Sequence, residues 1–323
     1  MGVRFETLRR TRGTHETWWR YGASGLAAWS YLWGSTGFGD EALAVVEQLR
    51  THGVAISHVD RLLPDPEAFS AIRHHVAALQ ARKAGEVVAA RSRRGEVRQV
   101  SLTGDRPTLS IDDPVVRFLL DPPLAEVAGL FYRMTPRLLE AKVWQTVASD
   151  AAPSGTQRWH RDRPGDRHVL KCFVYLNEVR ESSGPFCFCP GTQVGGSVVP
   201  RTAVVMDGKV ERFDDGGVES ELDVVRCVGP VGTVVFADTT GLHMGGRSVF
   251  GERLMITSQY GSAAAWQKPY FDVAGRPRDR PGRYALGMDR PPRVRHLRRD
   301  RVRRGAETKW TSEPIDAQEC PQT

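Results

Sequence analysis

Val169-Leu-Lys-Cys-Phe-Val-Tyr-Leu176 is the stretch on which the fold turns. It alternates, and it is rich in β-branched and aromatic side chains, so it reads as a β-strand. Glu140–Val147 upstream, and Phe186–Cys189, Val204–Met206, Val231–Phe236 and Leu254–Tyr260 downstream, alternate in the same way between turns of Gly, Pro, Asp and Ser. Short strands at this spacing predict a sandwich or barrel, not a parallel sheet built from β–α–β units. Before Pro136 the pattern is helical. Asp40 is the expected cap of a helix over Glu41–Arg50, Gly53 ends it, and Val54–Ser57 begins a short strand. A second helix opens at Pro64-Asp-Pro-Glu67 and runs to about Arg82. Residues 83–108 are polar and basic and read as a long loop. Two more helices start at Asp112-Asp-Pro114 and at Pro123, the latter reaching about Met134. Helices first and a β core after them predict an α+β, mainly β protein, a jelly roll with flanking N-terminal helices.

Composition narrows the class. The chain has 323 residues, 40% hydrophobic and 26% charged, which excludes a wholly disordered chain, a collagen-like fibre, a coiled-coil rod and a disulfide scaffold. The net charge is +7, but residues 276–304 hold twelve Arg and three Asp. The remainder is nearly neutral, so the basic balance belongs to one C-terminal segment and nucleic acid is not the expected partner. Five Cys without a CxxC pair point to a reducing compartment, with Cys187 and Cys189 read as small buried hydrophobes. No apolar run approaches the roughly 20 residues of a membrane helix. The expectation is a cytoplasmic protein without a membrane segment.

The chemistry concentrates in Gln157-Arg-Trp-His-Arg-Asp162. In an extended segment His160 and Asp162 point the same way. His243 follows the strand Val231–Phe236 and the turn Asp238-Thr-Thr-Gly241. Two His and one carboxylate that leave open positions on an ion form the facial triad of non-haem Fe(II) oxygenases. Ten residues on, Arg253 opens a strand on the face opposite to Leu254, Ile256 and Ser258, where a guanidinium is suited to fork a dicarboxylate. Arg247 is the rival for that role.

In combination, Trp159-His160-Arg-Asp162, Leu170–Val179, Ser183-Gly-Pro185, Cys189-Pro-Gly-Thr-Gln193, Gly232–Asp238, His243 and Arg253 resemble the phytanoyl-CoA dioxygenase family. Leu49–Ile56 resembles the helix-to-strand entry of that family, and the likeness covers about residues 41–262. It implies a double-stranded β-helix, cupin-like core, Fe(II), 2-oxoglutarate as cosubstrate and O2. His160, Asp162 and His243 would bind the metal, and Arg253 would pair with the distal carboxylate of 2-oxoglutarate. Gln145 falls where some members touch the cosubstrate, and Thr233, Thr240 and Thr257 are the available hydroxyls near the Arg. The implied activity is oxidation of an unactivated C–H of a small molecule, by hydroxylation or otherwise, in secondary-metabolite biosynthesis, with succinate and CO2 as co-products. Halogenases of the superfamily have a small residue where Asp162 stands, so a carboxylate argues for hydroxylation, desaturation or ring formation.

The implied organisation is an aromatic-rich extension over 1–40, an oxygenase domain over 41–268 and an Arg/Pro-rich tail over 269–323. Within the domain a helical layer spans 41–135 and the jelly-roll core 136–262. Trp18, Trp19, Trp29 and Trp33 in the extension would pack on the body, cover a pocket or meet a partner. Gln157, Arg158 and Trp159 are the candidate substrate contacts, with Trp159 equally suited to a core position. Arg158, Arg161 and Arg163 around the ligand pair would attract an anionic or carrier-tethered substrate. Residues 200–226 form an insertion that could act as a lid. The competing hypothesis is a non-catalytic jelly-roll binding protein that acts through its basic tail on a polyanion or a protein partner.

Overall fold

A strand flanked on both edges must satisfy its backbone through neighbours, and Arg253–Gly261 does so along its length. The computed structural model describes residues 17–34, 38–92, 99–162, 165–199, 204–207, 210–213, 215–275, 277–278 and 280–288. Arg163 and the Arg-rich run Arg293–Arg304 lie outside the described residues. In chain order the strands are β1 (Val54–His58), β2 (Gln99–Ser101), β3 (Thr108–Leu109), β4 (Arg137–Thr146), β5 (Leu170–Tyr175), β6 (Phe186–Phe188) and β7 (Val204–Asp207). Then come β8 (Val210–Phe213), β9 (Val225–Cys227), β10 (Thr233–Asp238), β11 (His243–Gly245), β12 (Arg253–Gly261) and β13 (Asp272–Val273).

The large sheet runs β1-β10-β5-β12-β4-β2, antiparallel throughout, and faces a small sheet ordered β11-β6-β9. Successive segments cross between the sheets: β5 to β6, and β10 through β11 to β12. That winding is the jelly roll. Alternation then assigns the faces. Cys172, Val174, Val234, Phe236 and Ile256 join the core beneath the helices. Phe173, Tyr175, Val235, Ala237 and Met255 pack toward the small sheet with Phe186 and Phe188. The four described cysteines, Cys172, Cys187, Cys189 and Cys227, are buried and free.

The helix Asp40–His52 buries Ala42, Val45, Val46 and Leu49 against the sheet. Its N-cap is Gly39, without a side-chain bond. Asp40 instead sits in the first turn with Glu41, where negative charge favours the helix dipole. Gly53 closes the helix at φ 79°, a left-handed conformation that glycine adopts without penalty. Asp65 caps Pro66–Arg82 by accepting from the Glu67 amide at 2.8 Å, and Asp113 caps Pro114–Leu120 through the amides of Val115 and Val116. The expected loop over 83–108 instead contains a helix, Ala84–Ser92, and the strands β2 and β3. That helix buries only Val87, so it shows no apolar stripe in the sequence. Near the N-terminus, Trp19 is buried and its indole donates to Asp166 Oδ1 and to Ser262 Oγ, whereas Trp18 and Trp29 are exposed. Among the described residues no helix is long and apolar enough to cross a membrane.

Tyr132, at the end of helix Pro122–Tyr132, ties two strands together. Its hydroxyl accepts from the Leu170 amide at 3.1 Å and donates to the Tyr260 carbonyl at 2.8 Å, beyond the reach of solvent. Tyr132→Phe should cost about 1–3 kcal/mol, because it strands a buried donor and acceptor. A lower urea midpoint at unchanged slope would show it; an unchanged midpoint would contradict it.

Candidate metal centre and its cavity

His160 and His243 come from distant parts of the chain and meet through the backbone. The His160 amide donates to the His243 carbonyl and the His243 amide to the His160 carbonyl, each at 3.0 Å. This reciprocal pairing sets the two rings side by side, with centroids 4.2 Å apart. Each ring is then fixed by the carbonyl two residues before it. Nδ1 of His160 donates to Arg158 O at 2.8 Å, and Nδ1 of His243 to Gly241 O at 3.0 Å. A carbonyl only accepts, so Nδ1 carries the proton and both Nε2 lone pairs face inward.

Asp162 completes the group. Its amide donates to Thr239 O at 3.0 Å. Its oxygens stand 3.9 Å from His160 Nε2 and 3.7 Å from His243 Nε2. One ligand atom from each of the three residues lies within 4.8 Å of the others. Two metal–ligand bonds of about 2.1 Å span about 4.2 Å, so one ion is within reach of all three after small side-chain rotations. Burial lowers the pKa of both imidazoles, that of His243 to about 3 with His160 adding to the effect, which keeps them in the neutral, ligating form. Burial alone would raise the Asp162 carboxyl. Lys171, His243 and His160 outweigh it and hold the group well below the usual carboxylate range, with Lys171 Nζ 2.7 Å from Oδ2.

Two adjoining hollows share Glu140, Thr156, His160 and Lys171. The smaller, about 170 Å³, reaches His243, Trp144, Phe186, Arg253 and Thr257. On β12 the residues Arg253, Met255 and Thr257 share one face by strand alternation. Arg253 is 4% exposed and donates to Gly184 O, and Nε has no hydrogen-bond partner. Among the described residues no carboxylate pairs with it. Thr257 Oγ1 is likewise buried without a partner. The larger hollow, about 340 Å³, runs from His160 and Asp162 past Lys171, Glu140 and Lys142 to Tyr270.

The remaining candidates divide plainly. Thr240 bonds Asp238 and Thr233 bonds Pro230 O, so of the three hydroxyls only Thr257 reaches the hollow. Arg247 donates to Ala151 O and lines neither hollow. Gln145 is a correction. It projects from the opposite face of β4, accepts from Gln80 and donates to Glu252 at 2.7 Å. Its neighbours Glu140, Lys142 and Trp144 face inward instead. Trp159 takes the core position of its two readings: it is fully buried among Cys187, Phe213 and Leu242, opposite in parity to its neighbours His160 and Arg158. Gln157 is buried and lines neither hollow, and Arg158 serves through its carbonyl. Thr156, not singled out in the sequence, lines both. Of the insertion, β8 docks on the ligand segment, with Phe213 donating to Trp159 O at 3.0 Å and Arg212 entering the larger hollow.

In the metal-free protein, His243 binds a proton at about pH 3 when folded and at about 6.5 when unfolded. The unfolded chain therefore takes up more protons between those values, and this stability is present above about pH 6.5 and lost on acidification. The melting temperature of the wild type should fall relative to that of His243→Asn between about pH 7 and about pH 4.5. Parallel curves would refute the assignment of that burial.

No protein-family model and no curated protein matches this sequence. Solved structures do match in shape. The epimerase SnoN, in complex with Fe3+, alpha ketoglutarate and nogalamycin RO, aligns with TM-score 0.50 and 18% identity over 71% of this chain and 87% of its own. EctD from S. alaskensis with bound Fe aligns with TM-score 0.50 and 16% identity over 80% of this chain and 89% of its own. This chain therefore has the fold of those two iron-bound proteins, a jelly roll with helices on its outer face.

Proposed function

We propose that this protein is a mononuclear Fe(II)- and 2-oxoglutarate-dependent dioxygenase that oxidises an unactivated C–H of a small molecule. The observation that carries the reading is Arg253. A buried guanidinium is costly unless an anion completes it, and this one, with no acid partner among the described residues, opens onto the hollow lined by both histidines of the triad. The donor set fits the metal: two inward Nε2 atoms with their Nδ1 protons engaged, and one carboxylate. When bound, the ion would couple oxidative decarboxylation of 2-oxoglutarate to activation of O2, with succinate and CO2 as co-products.

The chain's own residues do the positioning. Arg253 takes the distal carboxylate of the cosubstrate, with Thr257 Oγ1 beside it as a further donor. Phe186 and Met255 supply apolar wall between Arg253 and the histidines. Arg158 O and Gly241 O keep the imidazoles in register, and Lys171, 2.7 Å from Asp162 Oδ2, keeps that carboxylate charged for the ion. Thr156 lies between the two hollows, where cosubstrate and substrate would adjoin. The fold neighbours include an epimerase complexed with a nogalamycin compound, which supports specialised metabolism as the setting.

Anaerobic titration with Fe(II) and 2-oxoglutarate tests this directly: a charge-transfer absorption should develop, and its absence overturns the reading. Asp162→Ala should abolish substrate-dependent succinate release, and full activity in that variant would sink the ligand assignment. Arg253→Met should raise the half-saturating 2-oxoglutarate concentration by about 30-fold or more, the effect of truncating one side of a buried charge pair. Gln145→Ala, on the other face of β4, should leave that value within about twofold.

A further inference from the structure

The larger hollow has wall groups that the smaller one lacks: Lys142, Gln267 and Tyr270. Glu140 and Lys142 stand two apart on the inward face of β4, and Lys171 faces them from β5. The charges are unevenly satisfied. Lys171 is held by Asp162 at 2.7 Å and lies close to Glu140. Lys142 has no carboxylate within ion-pair distance among the described residues. Its ammonium instead lies 5.2 Å from the Trp144 ring centre and 5.9 Å from that of Tyr270. Two aromatic faces hold a cation in place without neutralising it. Gln267 adds a second donor: its Nε2 is buried, unpartnered and on the same wall. Arg161 and Arg212 add positive charge to the lining, against Glu140 and Asp162 as its acids.

A wall rich in donors and poor in free acceptors suits a ligand that accepts. We infer that the substrate enters this hollow through an anionic group, a carboxylate or a phosphate monoester, bound by Lys142 with Gln267 Nε2 as second donor. Glu140, set deeper toward Lys171, repels that group from the metal end and so fixes the direction of entry. The anion rests at the Tyr270 rim, and the carbon to be oxidised points toward His160 and Asp162. The inference rests on the function proposed above, since it takes the triad as the reacting end.

Matched pairs of small molecules test it: phenyl phosphate against phenol, benzoate against benzyl alcohol, and glycerol 3-phosphate against glycerol. Each is titrated calorimetrically into protein loaded with Zn(II) and N-oxalylglycine, which fills the Arg253 end. In at least one pair the anion should bind tenfold or more tightly than its neutral partner. Lys142→Met should erase that preference and Lys142→Arg should retain it, while both variants keep their affinity for N-oxalylglycine as evidence of an intact fold. Equal binding within every pair, no binding by any probe, or a preference that survives Lys142→Met would overturn the inference. Failure of Zn(II) and N-oxalylglycine to bind would instead count against the dioxygenase reading, and the anion preference would then be scored on the metal-free protein.

Discussion

Two peptide hydrogen bonds, exchanged between His160 and His243, are the constraint on which this site depends. They join a segment that enters the jelly roll before β5 to one that leaves it after β10. Because they are backbone bonds, they fix where both imidazoles start, whatever side chains surround them. The carbonyls of Arg158 and Gly241 then fix how the rings turn. The placement of the two rings is thus encoded in main-chain register, and the fold reproduces it as long as β10 and β5 keep theirs.

The same sheet separates two electrostatic tasks. At one end a buried guanidinium on β12 has no carboxylate within ion-pair distance among the described residues. At the other, lysines on β4 and β5 flank a single glutamate. Both ends are cationic, yet they differ in what holds the charge: a buried guanidinium at one, and at the other a lysine beside a half-exposed tyrosine. Small di-anions suit the first, and longer molecules with one acidic terminus suit the second. His160 of the proposed metal site lines both.

Much of this was legible in the sequence. Alternation gave the principal strands, and the His-x-Asp pair with a later His and Arg named the residues that the fold brings together. Gln145 was misplaced because β4 is buried on both faces, so polarity along it does not reveal which parity looks inward. Trp159 was ambiguous for a related reason, since its neighbour His160 is equally buried. Glu140, Lys142 and Lys171 carry no signal of an inward position, because charged residues on a strand ordinarily mark a solvent face. The helix Ala84–Ser92 was missed because one buried valine makes no periodic signal. In each case the missing fact was tertiary: what covers the other side.

The docking of β8 on the ligand segment has a consequence for how this protein could diversify. Arg212 bridges His160 through the main chain, and the Phe213 amide is bonded to Trp159. The inserted hairpin is therefore not an interchangeable cover but an added edge of the chemical centre itself. A descendant that remodelled this segment to accept a new molecule would also shift the scaffold of a histidine of the proposed metal site. Selectivity and reactivity would then evolve together here, with substitutions in the hairpin tolerated only when they preserve its pairing with the strand beneath.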